Sequence, residues 1–450
     1  MLRRVAARND KKEQGMPVTA IVGGHWGDEG KGKVVDALAA GANLVIRYNG
    51  GNNAGHTVVS ERGTLRLHQV PSGICYAEVD CVIGPGVVVN PAALFEELDM
   101  LEAAGISTAR LRISDRAHLV FPFHVEVDET VEVARGPKAH GTTRRGIWPV
   151  YAEKAARTGI RAGDLLEPQF LQERLNEASR RATALLGRTV TAGELWYLCE
   201  EWSDRLIPYV VDTHPLVQAA LRRDDAILLE GQLGVMRDLD WGAYPYVTSS
   251  TCLAGGACAG AGIPPQRIGR VIGVVKAYST AVGAGPMPTE LGDGLGARLR
   301  ELGQEYGAST GRPRRCGWFD GVAARFAAEV SGFTDLAVMK LDVLDGFETV
   351  KICVAYRDGP RVLTTVPHTA AMARVQPVYE ELPGWRETSD ARTIDELPAE
   401  ARAFLARIEQ VTGAPVSMVG VGREREALIT LRDLANPQSP VPNPAVGGSR

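Results

Sequence analysis

Between Gly23 and Val34 the chain reads Gly-Gly-His-Trp-Gly-Asp-Glu-Gly-Lys-Gly-Lys-Val, directly after a short apolar run. Gly27, four intervening residues, Gly32 and Lys33 match most of a phosphate-binding loop, but Val34 stands where Ser or Thr would hold magnesium. A strand-to-helix turn this rich in glycine aims backbone N–H groups at an anion, and Lys31 and Lys33 add charge to it. With the metal-binding hydroxyl missing, another hard oxygen must hold magnesium, and Asp28 inside the loop is the candidate. The structural alternative for Asp28 is to cap the next helix.

A second polar cluster, Gly307-Ala308-Ser309-Thr310-Gly311-Arg312-Pro313-Arg314-Arg315, places three arginines in four positions. Guanidinium forks suit the carboxylates of a dicarboxylic amino acid. A solvated basic turn is the plain alternative.

The elements that must carry these clusters alternate strand and helix. Apolar runs at 19–22, 44–48, 226–229, 271–275 and 336–339 have the length and composition of strands covered on both faces of a parallel sheet. Helices are expected over 91–104, where Pro91 opens and Gly105 follows, and over 168–186 and 192–206. Runs at 351–356 and 361–366 flank Asp358-Gly359, a hairpin signal. The expected fold class is α/β: one large domain around a mostly parallel, P-loop-like central sheet, with helical insertions and a small antiparallel hairpin. The polar residues 1–16 read as a disordered tail or as a start assigned upstream of Met16. Residues 17–433 form the domain, and the Pro- and Asn-rich residues 434–450 read as a second tail.

Composition excludes several classes. The 450 residues carry 50 Lys+Arg against 54 Asp+Glu, a net charge of −4, so nothing pulls the chain generally toward nucleic acid or anionic lipid. No apolar run reaches the ~18–20 residues of a membrane span. Seven scattered cysteines without a Cys-x-x-Cys pair give neither a zinc site nor a disulfide framework, and read as reduced thiols of a cytoplasmic protein.

The segment Trp26-Gly27-Asp28-Glu29-Gly30-Lys31-Gly32-Lys33 resembles the signature of the adenylosuccinate synthetase family, GTP-dependent ligases that join aspartate to IMP. The resemblance continues through residues 47–57 (Arg-Tyr-Asn-Gly-Gly-Asn-Asn-Ala-Gly-His-Thr), Gly141-Thr142-Thr143, Tyr244-Pro245-Tyr246-Val247-Thr248, Thr310-Gly311-Arg312 and Lys340-Leu341-Asp342. It covers about residues 17 to 433. It implies that GTP phosphorylates the 6-oxygen of IMP and that the amine of aspartate then displaces phosphate.

By that resemblance Asp28 removes the N1 proton and binds Mg2+ together with the Gly55 carbonyl. His56 donates to the transferring phosphoryl oxygens and Lys31 neutralises their charge. GTP would meet Gly27, Asp28, Glu29, Gly30, Lys31, Gly32 and Lys33, then Gly55, His56 and Thr57, with Arg314 and the Gly420-Val421-Gly422 turn. Lys340, Leu341 and Asp342 look like a guanine reader, because a carboxylate accepts from both N1–H and the exocyclic amine; Asp342 thus implies GTP over ATP. The acceptor nucleotide would meet Asp28 to Lys31, Asn53, Ala54, Gly55, His56, Thr143, Gln232, Leu233, Thr248 and Arg312. Arg157 would arrive from a neighbouring subunit, which implies a homodimer. Ala308, Ser309, Thr310, Gly311, Arg312 and Arg314 would hold aspartate.

The departures from the family pattern gather around the acceptor. His25 replaces a Gln, Asn52 a His, Arg144 and Trp148 glycines, Trp241 a His and Gly420 a Ser. Glu230-Gly231-Gln232-Leu233-Gly234 replaces Glu-Gly-Ala-Gln-Gly. Losing a buried hydrogen-bonding partner costs ~1–3 kcal/mol, so Leu233 weakens IMP binding unless Gln232 takes over. An alternative function is therefore a paralogue joining aspartate, or a related amino acid, to a modified purine-like acceptor. A non-catalytic nucleotide-binding regulator would have lost Asp28, His56 or Lys31, and all three are present.

Overall fold

The computed structural model describes residues 18–60, 63–307 and 311–431. The two expected tails lie outside the described residues. Ten strands form the central sheet, in the order Leu428–Thr430, Val416–Gly420, Asp335–Met339, Ile268–Lys276, Val18–Gly23, Ile227–Gly234, Leu44–Arg47, Asp80–Ile83, Leu111–Ser114, Val210–Val211. Every adjacent pair is parallel except the antiparallel pair at the Leu428–Thr430 edge. The first strand, β1 (Val18–Gly23), lies in the middle and is buried at all six positions. This is the burial that a near-continuous apolar run demands.

Apolar side chains pack on both faces: Val34, Val35 and Leu38 with Val45 and Ile83 in one cluster, Ala20, Val22 and Leu229 with Val217 and Leu221 in another. A third cluster, around Leu336, Val338, Phe404 and Ile408, fills the C-terminal part. Doubly wound sheets bind ligands beyond the carboxyl ends of their strands. β1, Leu44–Arg47 and Asp335–Met339 all deliver their candidate motifs at that end.

The expected strands and helices are present. Pro91–Ala103 is capped by the Asn90 side chain, which accepts from Ala93 N at 3.1 Å. Pro168–Leu186 and Ala192–Leu206 match their expected bounds. The hairpin is larger than the sequence suggested: Thr349–Asp358 pairs with Arg361–Leu363 and, along its other edge, with Gln376–Pro383, and Phe319–Asp320 adds a parallel strand. Among the described residues no helix is long and apolar enough to cross a membrane. The seven cysteines are free thiols.

Candidate active site

The loop after β1 turns three times through the left-handed region, at Gly27 (φ 100°), Asp28 (φ 60°) and Gly30 (φ 95°). Gly30 then starts helix α1 (Lys31–Ala39) without a side-chain cap, so Asp28 is not the cap. Inside the loop, Glu29 Oε1 accepts from Gly27 N at 2.8 Å and His25 N at 3.2 Å, and Glu29 Oε2 holds Lys31 Nζ at 2.6 Å. Glu29 thus braces the loop from within, and its carboxylate is not turned outward to an acceptor.

Lys33 points elsewhere than Lys31. Its Nζ donates to Gly422 O and Ala427 O, each at 2.9 Å, and burial draws its pKa down to about 8. Two residues apart on a helix means about 200° around its axis, so Lys31 and Lys33 cannot both face the loop. Lys33 thus ties α1 to the Gly420-Val421-Gly422 segment.

The register of the sheet sets Ile21, Glu230 and Arg47 side by side on three adjacent strands. Glu230 is wholly buried and bonds His56 Nδ1. Ser72 supports it, donating through N and Oγ at 2.8 Å each. His56 Nε2 has no partner among the described residues. Burial pushes the His56 pKa down and Glu230 offsets this in part, while Lys31 lies near enough to push it down further. The sequence reading gave Glu230 no role; an acid directly following the apolar run at 226–229, within the same strand, was its available signal.

Beside this pair, Gln232 Oε1 accepts from Gly51 N at 3.1 Å and Arg47 Nη2 at 3.3 Å, and its buried Nε2 has no partner among the described residues. Gly50 (φ 76°) allows this, because a Cβ there would lie 1.5 Å from Gln232 Oε1. Leu233, also left-handed at φ 59°, rests its side chain against Gly27. Asn53 folds onto its own loop, accepting from Gly51 N at 3.2 Å.

Across the crevice, Arg312 Nη2 donates to Gly141 O at 2.8 Å, which joins the arginine cluster to the Thr142-Thr143 loop. Asp128 and Glu132, two sequence-silent acids one turn apart on the Pro122–Ala134 helix, hold that loop. Asp128 accepts from Thr142 Oγ1, Trp148 Nε1 and Gly146 N at 2.9–3.0 Å, and Glu132 accepts from the N–H groups of His140, Gly141 and Thr142. Thr248 N donates to Arg237 O at 2.8 Å. The charges of Asp28 and Arg312 both act on buried Arg237, so these groups share one region. Ala308, Ser309 and Thr310 lie outside the described residues. Arg157 ends the Ile147–Ala156 helix in the left-handed region and is exposed.

At the other end, Arg314 Nε donates to Asp28 Oδ2 at 2.8 Å. Lys340 (φ 60°) opens the turn Leu341–Leu344, and its ammonium is tied to Gly303 O and Glu305 Oε1, both at 2.7 Å. Asp342 Oδ1 is buried without a partner among the described residues, and burial raises its pKa. An orphan acceptor at a strand end is what a base with two donors would satisfy.

The model of the adenylosuccinate synthetase family matches residues 20–429. The chain belongs to that family. Adenylosuccinate synthetases of Carboxydothermus hydrogenoformans and Heliobacterium modesticaldum are 49% and 48% identical to it over 92% of this chain and 99% of each relative. The structure of a fully ligated adenylosuccinate synthetase from Plasmodium falciparum is similar with a TM-score of 0.88 and 35% identity, over 92% of this chain and 100% of that one. As a member of the adenylosuccinate synthetase family this protein is a carbon–nitrogen ligase, and its reaction is the family's GTP-dependent joining of aspartate to IMP.

Several departures from the adenylosuccinate synthetase pattern have a packing role or stand in the open. His25 is a core residue, its Nε2 at 3.0 Å from Asp320 O and its ring against Phe319. Arg144 is exposed beside Glu129, and Trp241 is exposed. Gly420 packs against Met339, where a Cβ would meet the methionine at 2.7 Å. Relatives this similar along their whole length lend no support to the modified-acceptor paralogue or the regulator.

Proposed function

We propose that Asp28 is the base that takes the N1 proton of IMP while the 6-oxygen attacks the γ-phosphorus of GTP, giving 6-phosphoryl-IMP and GDP. The amine of aspartate then bonds to C6, and inorganic phosphate leaves with the C–O electron pair. The observation that carries this reading is a carboxylate held left-handed inside a phosphate loop and oriented by Arg314. His56, oriented by Glu230, donates from Nε2 to the phosphoryl oxygens, and Lys31 adds positive charge where negative charge develops.

The free amide nitrogen of Gln232 is the donor for the purine 6-oxygen, the task the family gives to the residue one position later. Asp342 reads guanine. Arg312, already anchored at Gly141, receives a carboxylate of aspartate, and Thr143, Asn53 and Thr248 face the acceptor's phosphate. Arg157 serves a second copy of the chain in a cytoplasmic homodimer.

A divalent metal suits this donor set. Among the described residues no three His, Cys, Asp or Glu side chains cluster to hold an ion, and Mg2+ characteristically takes one or two carboxylates and completes its shell with phosphates and water. Asp28 and the Gly55 carbonyl would hold it, where it would neutralise phosphate charge.

The test is phosphate release by the purified protein with Mg2+, GTP and aspartate, with and without IMP, alongside mass analysis of the product. IMP-dependent release with an adenylosuccinate mass is expected. Asp28→Asn should abolish turnover while GTP still binds; an active variant would remove Asp28 as the base.

A further inference from the structure

Glu305 is wholly buried and belongs to none of the steps above, yet it collects more charge than any carboxylate in the site. Its Oε1 accepts from Lys340 Nζ at 2.7 Å, Lys276 Nζ at 2.8 Å and the Tyr278 hydroxyl. Its Oε2 accepts from Arg314 Nη1 at 2.6 Å and Lys276 Nζ at 2.9 Å. Arg314 passes the chain on, through Nε, to Asp28. Two carboxylates, Glu305 buried and Asp28 partly exposed, thus face three cations, an excess of positive charge that suits an incoming polyphosphate.

The backbone reinforces the arrangement. Arg314 N donates to Glu305 O and Gly307 N to Arg312 O, each at 2.8 Å, so Glu305 and Arg314 form the base of the loop that carries Arg312. Lys340 occupies a left-handed conformation that a branched-free but bulky side chain does not favour. Its two ammonium bonds hold it there, and Asp342 follows two residues later in the same turn.

We propose that Glu305 is a positioning residue that couples guanine recognition to placement of the catalytic carboxylate. One oxygen fixes Lys340 at the start of the base-reading turn, and the other fixes Arg314, which orients Asp28. This rests on the reading of Asp342 as guanine reader and Asp28 as base. Burial holds the Lys276 pKa near 8 while Glu305 opposes that fall, so loss of the carboxylate also weakens the cation beneath the network.

Glu305→Gln keeps the shape and removes the charge. Steady-state kinetics with GTP and with inosine triphosphate, which lacks the exocyclic amine, separate coupling from general damage. We expect kcat with GTP to fall at least ~10-fold and the GTP-over-inosine-triphosphate preference in kcat/KM to fall at least ~5-fold. A loss shared equally by the two nucleotides, or no loss, overturns the proposal. Should this variant fail to fold, Lys340→Met cuts only the base end: a fall in both preference and kcat supports coupling, and an unchanged kcat overturns it. Wild-type protein that uses the two nucleotides equally would instead refute the underlying assignment of Asp342.

Discussion

Two opposite pulls act on His56. Burial disfavours its charged form, and the ion-paired Glu230 favours it; burial wins, so its pKa lies below 6.5. The imidazole therefore rests neutral at physiological pH, with Nδ1–H on Glu230. Donation from Nε2 while Nδ1–H stays on Glu230 requires the imidazolium, so the negative charge of a bound phosphoryl group must join that of Glu230 in holding the second proton against burial. Glu230→Gln removes the charge that favours the imidazolium. In NMR titrations the His56 pKa should fall further, and kcat should drop at least ~10-fold with little change in the KM for GTP. A His56 pKa that stays put or rises in the variant would refute the pairing. At this scale the sequence was legible where a motif fixes a backbone conformation, as at Asp28 and Gly30. Glu230, Asp128 and Glu132 were not legible, because each works through a neighbour that only strand register or helix packing brings to it. The partners of Lys33 were not legible either, because charge in a motif says nothing about the side of a helix it occupies.

Among the elements, the Pro122–Ala134 helix acts as a clamp. Asp128 and Glu132 lie four residues apart on one buried face, so both reach the loop from His140 to Trp148. Glu132→Ala would leave three neighbouring N–H groups without their acceptor, a loss of ~1–3 kcal/mol in the loop's ordered state. Since Gly141 also anchors Arg312, KM values for IMP and aspartate should both rise about 10-fold while that for GTP stays within twofold. A rise confined to GTP would place the loop elsewhere. Helix bounds were readable because local chemistry sets them: the Thr191–Glu194 capping box and the left-handed Gly187 mark two of them. The hairpin's second arm was not readable to its end. It runs only to Leu363, because in that register Val366 would face Cys353, whose edge already belongs to Asp320.

For the molecule as a whole, buried histidines and two buried acids pull the response to acid in opposite directions. His25, His56, His68, His118, His124 and His140 all have pKa values below 6.5, each chiefly through burial, and His118 falls to about 3. A base with a lowered folded pKa binds its proton more readily in the unfolded chain, so stability falls as pH drops below 6.5. At pH 5.5, His118 alone withdraws about 1 kcal/mol. Two buried acids oppose this: Glu97, raised to about 7, and Asp320, raised to about 6, favour the folded state as they protonate. Over the range from pH 7.5 to 5.5 the gain from Glu97 and Asp320, about 3 kcal/mol by the same linkage, opposes the loss at His118, so the His118 contribution is read by comparing the protein with a variant that lacks it. On going from pH 7.5 to 5.5, His118→Gln should gain about 1 kcal/mol of stability relative to the unaltered protein, measured by calorimetry without ligands. A stability difference between the two proteins that stays constant over that range would mean that His118 takes up its proton without unfolding.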